Sequence, residues 1–363
     1  MGRLFIIVFL VTCFYSAHSQ AVDCSLKSAY NNDFLIGTAL GLDHIFEKNE
    51  QANQLVKKEF NAITPENIMK SMHIHPDFNR YNFGPADRFV EFGQKNKMYI
   101  VGHTLVWHSQ LPGFVNKIQN KDSLRSFMTD HIQTVVSRYA GKINSWDVVN
   151  EALNEDGTMR ESIFYRLLGP DYINDAFELA AKADPSVALY YNDYGIERPV
   201  KRAGAIAIVK KLQASGIKID GVGIQGHWGL KNNNLKDIED AIIAFSELGV
   251  KVAITELDIS VLPNPNKLNG ADVNQNFRTD PTLNPYQETL PDSIQTALAN
   301  RYEAIFKIFL RHRDKISRVT FWGVNDGHTW LNNWPVKGRT NYPLLFDRAY
   351  NPKKAYEAVM GLK

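Results

Sequence analysis

The stretch SLRSFMTDHIQTVVSRYAGKINSWDVVNE, residues 123–151, holds one complete unit of the pattern that decides the fold. Its first part, Ser123–Tyr139, spaces apolar residues three and four apart, which gathers them on one face of a helix. Gly141 then supplies a helix stop. Ser145–Asn150 follows as a short run of aromatic and β-branched residues, a strand, and it ends on the carboxylate of Glu151.

The same unit recurs outward in both directions. Strands are expected at Phe34–Ala39, Ala62–Thr64, Met98–His103, Ala188–Asn192, Gly221–Gln225, Lys251–Glu256 and Arg318–Trp322. Helices are expected at Lys48–Glu59, Ala86–Asn96, Tyr172–Ala183, Lys201–Ala214, Leu235–Leu248, Ile294–His312 and Pro352–Leu362, with Gly216 and Gly249 as further stops. Strands and helices that alternate through one chain, without a break in composition, predict an α/β fold of the closed (β/α)8 TIM-barrel type. An open doubly wound sheet would also alternate. It would normally carry a glycine-rich phosphate loop after its first strand, and Gly37-Thr38-Ala39-Leu40-Gly41 lacks that spacing. One segment breaks the rhythm: residues 262–292 are rich in Asn, Pro and Asp and aperiodic. They form a long loop insertion after the seventh strand, on the face where barrel enzymes build their sites.

The N-terminal segment reads differently. Met1-Gly2-Arg3 is a positive start, Leu4 to Tyr15 is almost wholly apolar, and Ser16-Ala17-His18-Ser19 offers small residues. Residues 1–19 are therefore expected to be a signal peptide cleaved after Ser19, leaving residues 20–363 as the catalytic barrel of a secreted protein, extracellular or periplasmic. The apolar run is short for a bilayer span, so no stable membrane insertion is expected after cleavage. Leu10-Val11-Thr12-Cys13 is a loose match to a lipidation site, with Thr12 bulkier than the small residue usual there. Cleavage would leave Cys24 as the lone thiol, so the fold is expected to stand on burial without an internal disulfide. The formal net charge is only +2 and there is no basic stripe, which argues against nucleic acid as a partner. A monomer is expected.

Polar residues collect where the strands end. Thr64-Pro65-Glu66-Asn67 with Lys70 follows the second strand, and Gly102-His103-Thr104-Leu105-Val106-Trp107-His108 the third. Asn150-Glu151, Tyr191-Asn192-Asp193, Gln225-Gly226-His227-Trp228, Thr255-Glu256-Leu257-Asp258 and Phe321-Trp322-Gly323 close the next five. A barrel interior is packed and apolar, so this phase marks one functional mouth. Glu151 and Glu256, each ending a hydrophobic strand across that mouth, form a carboxylate pair of the kind that breaks a glycosidic bond. Asp258, two residues beyond Glu256, is placed to hold a histidine such as His227. Trp107, Trp322 and Trp330 are expected to stack on sugar faces, while Trp146, inside a strand, belongs to the core. His103, His108 and His227 also invite a zinc reading. Against it, no His-x-His pair ends the first strand and each histidine has an aromatic or amide neighbour, so no metal or other cofactor is expected. His75 and His328 are assigned to surface or packing roles.

Taken in order, Thr-Pro-Glu-Asn-x-x-Lys, Gly-His-Thr-Leu-Val-Trp-His, Trp-Asp-Val-Val-Asn-Glu, Gln-Gly-His-Trp and Thr-Glu-Leu-Asp resemble glycoside hydrolase family 10, the xylanases built on a (β/α)8 barrel. The resemblance runs from Phe34 to the C-terminus. It implies endo-hydrolysis of β-1,4-xylosidic linkages in xylan with retention of configuration, Glu151 as general acid/base and Glu256 as nucleophile, about 5 Å apart. It further implies that Lys70, His103, Asn150, Gln225 and His227 hold the sugar at the cleavage point. Glu66 and Asn67 would hold the next sugar on the non-reducing side, and Trp107, Trp322 and Trp330 would form aromatic walls. A β-1,4-glucanase or mixed-linkage activity by the same chemistry is the alternative. The long loop after Asp258 is the main departure from the family pattern.

Overall fold

The computed structural model describes residues 25–363. The expected signal segment, with Cys13, and the lone thiol Cys24 lie outside the described residues. Nine parallel strands follow in chain order: β1 (Leu35–Leu40), β2 (Ala62–Pro65), β3 (Tyr99–Trp107), β4 (Ser145–Asn150), β5 (Ala188–Asp193), β6 (Gly221–Ile224), β7 (His227–Gly229), β8 (Lys251–Ser260) and β9 (Ile316–Phe321). Each pairs with its sequence neighbour from β1 to β6; β6 then pairs with β8, β8 with β9, and β9 with β1. That circuit closes an eight-stranded (β/α)8 barrel, and β7 stands outside it.

The outer ring is formed by the main helices α1 (Glu50–Glu59), α2 (Gly84–Lys95), α3 (Lys121–Arg138), α4 (Tyr172–Ala183), α5 (Pro199–Ala214), α6 (Leu235–Ser246), α7 (Asp292–Arg311) and α8 (Lys354–Met360). Their starts follow from local chemistry. Asn120 accepts a hydrogen bond from Ser123 N at 2.9 Å and so caps α3, while Pro199 opens α5 where no N–H is needed. None of the described helices is long and apolar enough to cross a membrane. The strands are buried on both faces, so they read as near-continuous apolar runs. Trp146 is 1% exposed, and burying such a ring contributes on the order of 3 kcal/mol. Its ring takes the space above Gly102, where an added Cβ would lie 2.1 Å from the indole.

Two expectations need correction. β3 continues past His103 to Trp107, with a register shift between His103 and Val106. β8 continues to Ser260, so Glu256 lies within the strand rather than at its end. The extension has a partner, because His227, Trp228 and Gly229 of β7 pair with Asp258, Ile259 and Ser260. The β3 extension stays paired with β4, Val106 with Val149 and Trp107 with Asn150, so both extensions carry site residues on paired strand. Of the two histidines assigned to surface or packing, His75 is buried, with its ring stacked 4.0 Å from Tyr81, and His328 is exposed.

Candidate active site

Every residue expected at the site except Asp258 lines one cavity of about 90 Å³ at the C-terminal ends of the strands. Glu151 and Glu256 face it from opposite sides of the barrel mouth, at 4% and 5% exposure. Glu151 directly follows β4 with φ +57°, a left-handed conformation that costs a non-glycine residue on the order of 1 kcal/mol. Two contacts hold it there: its N–H donates to the Asn192 carbonyl at 2.9 Å, and its own carbonyl accepts from Arg160 Nε at 3.1 Å. The turn lifts the side chain out of the barrel interior and into the cavity.

The two carboxyls have different partners. Glu151 accepts only uncharged donors, Trp107 Nε1 at 2.8 Å and Gln225 Nε2 at 3.0 Å. Burial raises its pKa, and the nearby Glu256 adds to that, while the Gln225 and Trp107 hydrogen bonds oppose it. Glu256 accepts from Asn192 Nδ2 at 2.8 Å and from His227 Nε2 at 3.2 Å. The opposite nitrogen of His227 lies 3.0 Å from Asp258 Oδ1. Burial works against the charged form of His227, but Asp258 and Glu256 outweigh it and push the imidazole up to about 10. Burial likewise raises Glu256, and the His227 hydrogen bond and charge overturn that, leaving its pKa below the ordinary glutamate value. Two buried glutamates of one cavity are thus biased in opposite directions.

Asp258 therefore sits where the sequence put it, behind His227, and it also accepts from Trp330 Nε1 at 2.8 Å. His103 is fixed from behind by Asp147, 2.9 Å from its Nδ1. Among the described residues no set of His, Cys, Asp and Glu has metal-holding geometry. Lys70 is buried with its Nζ 3.0 Å from Asn67 Oδ1 and 4.9 Å from the centre of the Trp107 ring. Trp322 stands edge-on to the His103 ring at 5.4 Å, and Trp330 lies 4.8 Å from the His227 ring. Trp107 differs from the expectation of a simple stacking surface. It is a β3 residue, 6% exposed, whose N–H is committed to Glu151.

Sequence reasoning missed four contributors. Asn192 bridges the two sides, donating to Glu256 and to Asn150 Oδ1 at 2.9 Å, and its strand-end position was the available signal. Asp147 lies in the Trp-Asp-Val-Val-Asn-Glu run, as a polar residue inside an apolar strand, whereas Arg160 and the loop residue Asp272 had no such signal.

The profile of Glycosyl hydrolase family 10 matches residues 25–362. The chain belongs to this family. Among its relatives, "Endo-1,4-beta-xylanase A" of Xylanibacter ruminicola is 43% identical over 344 residues, covering 93% of each chain. "Beta-1,4-xylanase" of Dictyoglomus thermophilum is 44% identical over 334 residues, covering 92% of this chain and 89% of its own. A solved structure described as a novel GH10 endoxylanase from a sugarcane soil metagenome superposes with a TM-score of 0.90 at 47% identity. It covers 93% of this chain and 100% of that one. Membership in the glycosyl hydrolase family makes this protein a glycosidase on a TIM barrel. The paired carboxyls of its cavity suit that chemistry.

Proposed function

We propose that this family 10 member is an endo-acting, retaining β-1,4-xylanase with Glu256 as nucleophile and Glu151 as general acid/base. The observation that carries the reading is the pair of buried carboxyls in one cavity, Glu151 held by the uncharged Trp107 and Gln225 and Glu256 by His227 with Asp258 behind it, which biases the two in opposite directions. Glu151, kept protonated, gives its proton to the glycosidic oxygen as Glu256 attacks the anomeric carbon and the C–O bond breaks. The resulting glycosyl ester on Glu256 is then attacked by water, whose proton returns to Glu151, and both residues regain their starting states. In this reading Lys70, His103, Asn150, Gln225 and His227 hold the reacting sugar, and Glu66 and Asn67 its neighbour on the non-reducing side. Trp322 and Trp330 wall the site, and Trp107 aims Glu151.

Endo-action is supported by what adjoins the central cavity. A second cavity of about 520 Å³ shares Glu66 and Asn67 with it, and a third of about 420 Å³ shares His227 and Ala271. A polymer can therefore continue past the reacting sugar in both directions. Xylan is supported as the substrate by the xylanase names of the relatives at 43% and 44% identity, which favour it over a β-1,4-glucan. Export, with cleavage after Ser19, completes the proposal, since a polymer substrate lies outside the cell. N-terminal sequencing of the secreted protein, expected to begin at Gln20, checks it.

The test compares reducing-sugar release from xylan and from soluble cellulose, with the anomer first formed followed by NMR. Release from xylan with β-configured first product is expected. Preference for cellulose, or an α-configured first product, would overturn the assignment.

A further inference from the structure

The aperiodic segment 262–292 does not hang free of the site: Ala271 and Val273 line the central cavity, and Asp272 between them points the other way, behind Glu151. Asp272 Oδ2 accepts from Arg160 Nη1 at 2.9 Å. The same guanidinium donates through Nε to the Glu151 carbonyl at 3.1 Å, and through Nη2 to the Leu153 carbonyl at 3.2 Å and the Tyr194 hydroxyl at 2.9 Å. Arg160 therefore spans from the loop carboxylate to the left-handed turn that aims Glu151. The loop is locked at this point. Asp272 Oδ1 accepts from both the backbone N and the side-chain Nδ2 of Asn274 at 2.9 Å. Gly270, at φ +63°, packs so closely that an added Cβ would lie 2.4 Å from Glu155 Oε1 and 2.5 Å from the Tyr194 ring.

Charge makes the contact more than a brace. The titratable and charged groups that bear on the Glu151 carboxyl are Glu256 from β8, Asp193 and Tyr194 at the end of β5, Lys70 beyond β2, His108 beyond β3, and Arg160. His108 lies between Glu151 and Asp272, 4.0 Å from one carboxylate and 3.9 Å from the other, with neither ring nitrogen hydrogen-bonded. Burial first, and then the Arg160 charge, push His108 down to about 4, so it is neutral at working pH. Arg160 is then the cation on this side of Glu151, and Asp272 is its counter-ion.

We propose that Asp272, supplied by the long loop, is a positioning residue for the general acid: through Arg160 it fixes the turn at Glu151 and balances the guanidinium charge beside it. The inference rests on the acid/base role proposed for Glu151. It makes the loop a working part of the site rather than a surface insertion. Without the Asp272 charge, an unbalanced Arg160 favours ionised Glu151, so the protonated acid is lost at lower pH.

The experiment measures kcat/KM against pH for wild type, Asp272→Asn, Asp272→Glu and Gly270→Ala. Each is assayed on a xylo-oligosaccharide and on a nitrophenyl xylobioside, whose leaving group needs no proton. In Asp272→Asn the basic limb should move acid by roughly half a pH unit or more. Its loss on the oligosaccharide should reach roughly tenfold and exceed its loss on the nitrophenyl substrate. Gly270→Ala, which pushes the loop away, should change both measurements in the same direction, and Asp272→Glu should restore the wild-type limb. An unmoved basic limb in Asp272→Asn, or equal loss on both substrates, overturns the proposal. Glu151→Ala is run beside them: full activity on the oligosaccharide in that variant would sink the acid/base reading itself.

Discussion

The β4 side and the β8 side of the barrel mouth hold the same residue type at the same depth, yet they shift its pKa in opposite directions. Glu151 and Glu256 are 4% and 5% exposed, so burial alone would raise both. On the β4 side the partners are an indole and an amide, neither able to carry charge, and burial prevails. On the β8 side the partner is an imidazole that Asp258 keeps charged, and burial is overturned. The backbone differs in the same sense. Glu256 projects from β8 where the register with β9 shifts between Ile254 and Leu257, its backbone still extended, whereas Glu151 stands on a left-handed turn that Arg160 and Asn192 must hold. What surrounds each glutamate, rather than its depth, decides the direction in which its pKa moves.

Removing the two carboxyls in turn should expose that difference most strongly. Glu256→Ala should lower kcat by about 10⁴-fold or more on every substrate, because no covalent ester can form. Glu151→Ala should be comparably slow on xylan but form the glycosyl-enzyme at a substantial rate from a nitrophenyl xylobioside, then stall. Azide should release it as a glycosyl azide of β configuration. Steady-state and burst kinetics of the two variants check this. Equal losses on activated and unactivated substrates, with no azide product, would remove the basis of the comparison.

The fold was legible because the barrel repeats one unit, a periodic helix, a stop and an apolar strand, and each repeat reinforces the reading. The strand lengths were less so. Thr104 to Trp107 looked like a motif after a strand, yet β3 continues through it to Trp107. Leu257 to Ser260 does alternate apolar and polar, the period of a strand, but its partner β7 is only three residues long and gives no pattern of its own. The line from Glu256 through His227 to Asp258 was readable in part, because Glu256 and Asp258 are two apart on one strand. Arg160 and Asp272 were not. They lie 112 residues apart in loops, and only the docking of the long loop brings them together.

Asp258→Asn should erase much of the asymmetry without touching either carboxyl. Without the Asp258 charge, burial pulls the His227 pKa down, and the imidazole no longer protects the Glu256 charge. The Glu256 pKa then rises. Since Glu256 must be ionised to attack, the acid limb of kcat/KM should move to higher pH, while the basic limb, governed mainly by Glu151, stays closer to its place. The limbs belong to a coupled pair, so some movement of both is expected. A loss of roughly ten- to a hundredfold at the wild-type optimum is expected, in the range seen when a partner that orients a functional histidine is removed. The pH profile of the variant decides. An acid limb that holds its position would mean that His227 positions Glu256 without charging it.

Trp330 sharpens the comparison on the smallest scale, because it belongs to both the β8-side network and the wall of the cleft. Its N–H is bonded to Asp258, its ring lies 4.8 Å from His227 and 4.5 Å from Trp334, and it lines the cavity. Substrate spanning several sugars uses binding energy away from the scissile bond to orient the reacting ring. For the wild type, kcat/KM should therefore climb from xylobiose to longer oligomers and then level off as the cleft fills. Trp330→Ala removes a stacking surface worth on the order of 1 kcal/mol, roughly a fivefold factor, at one point of that climb. If the ring serves mainly as a sugar platform, the loss should depend on chain length and the curve should flatten. If it serves mainly to hold Asp258, the loss should be uniform across lengths and accompanied by the acid-limb shift of Asp258→Asn. A series of kcat/KM values on oligomers of increasing length separates the two. Wild-type enzyme that cleaves xylobiose as efficiently as xylopentaose would defeat the extended cleft altogether, leaving a pocket that releases single sugars.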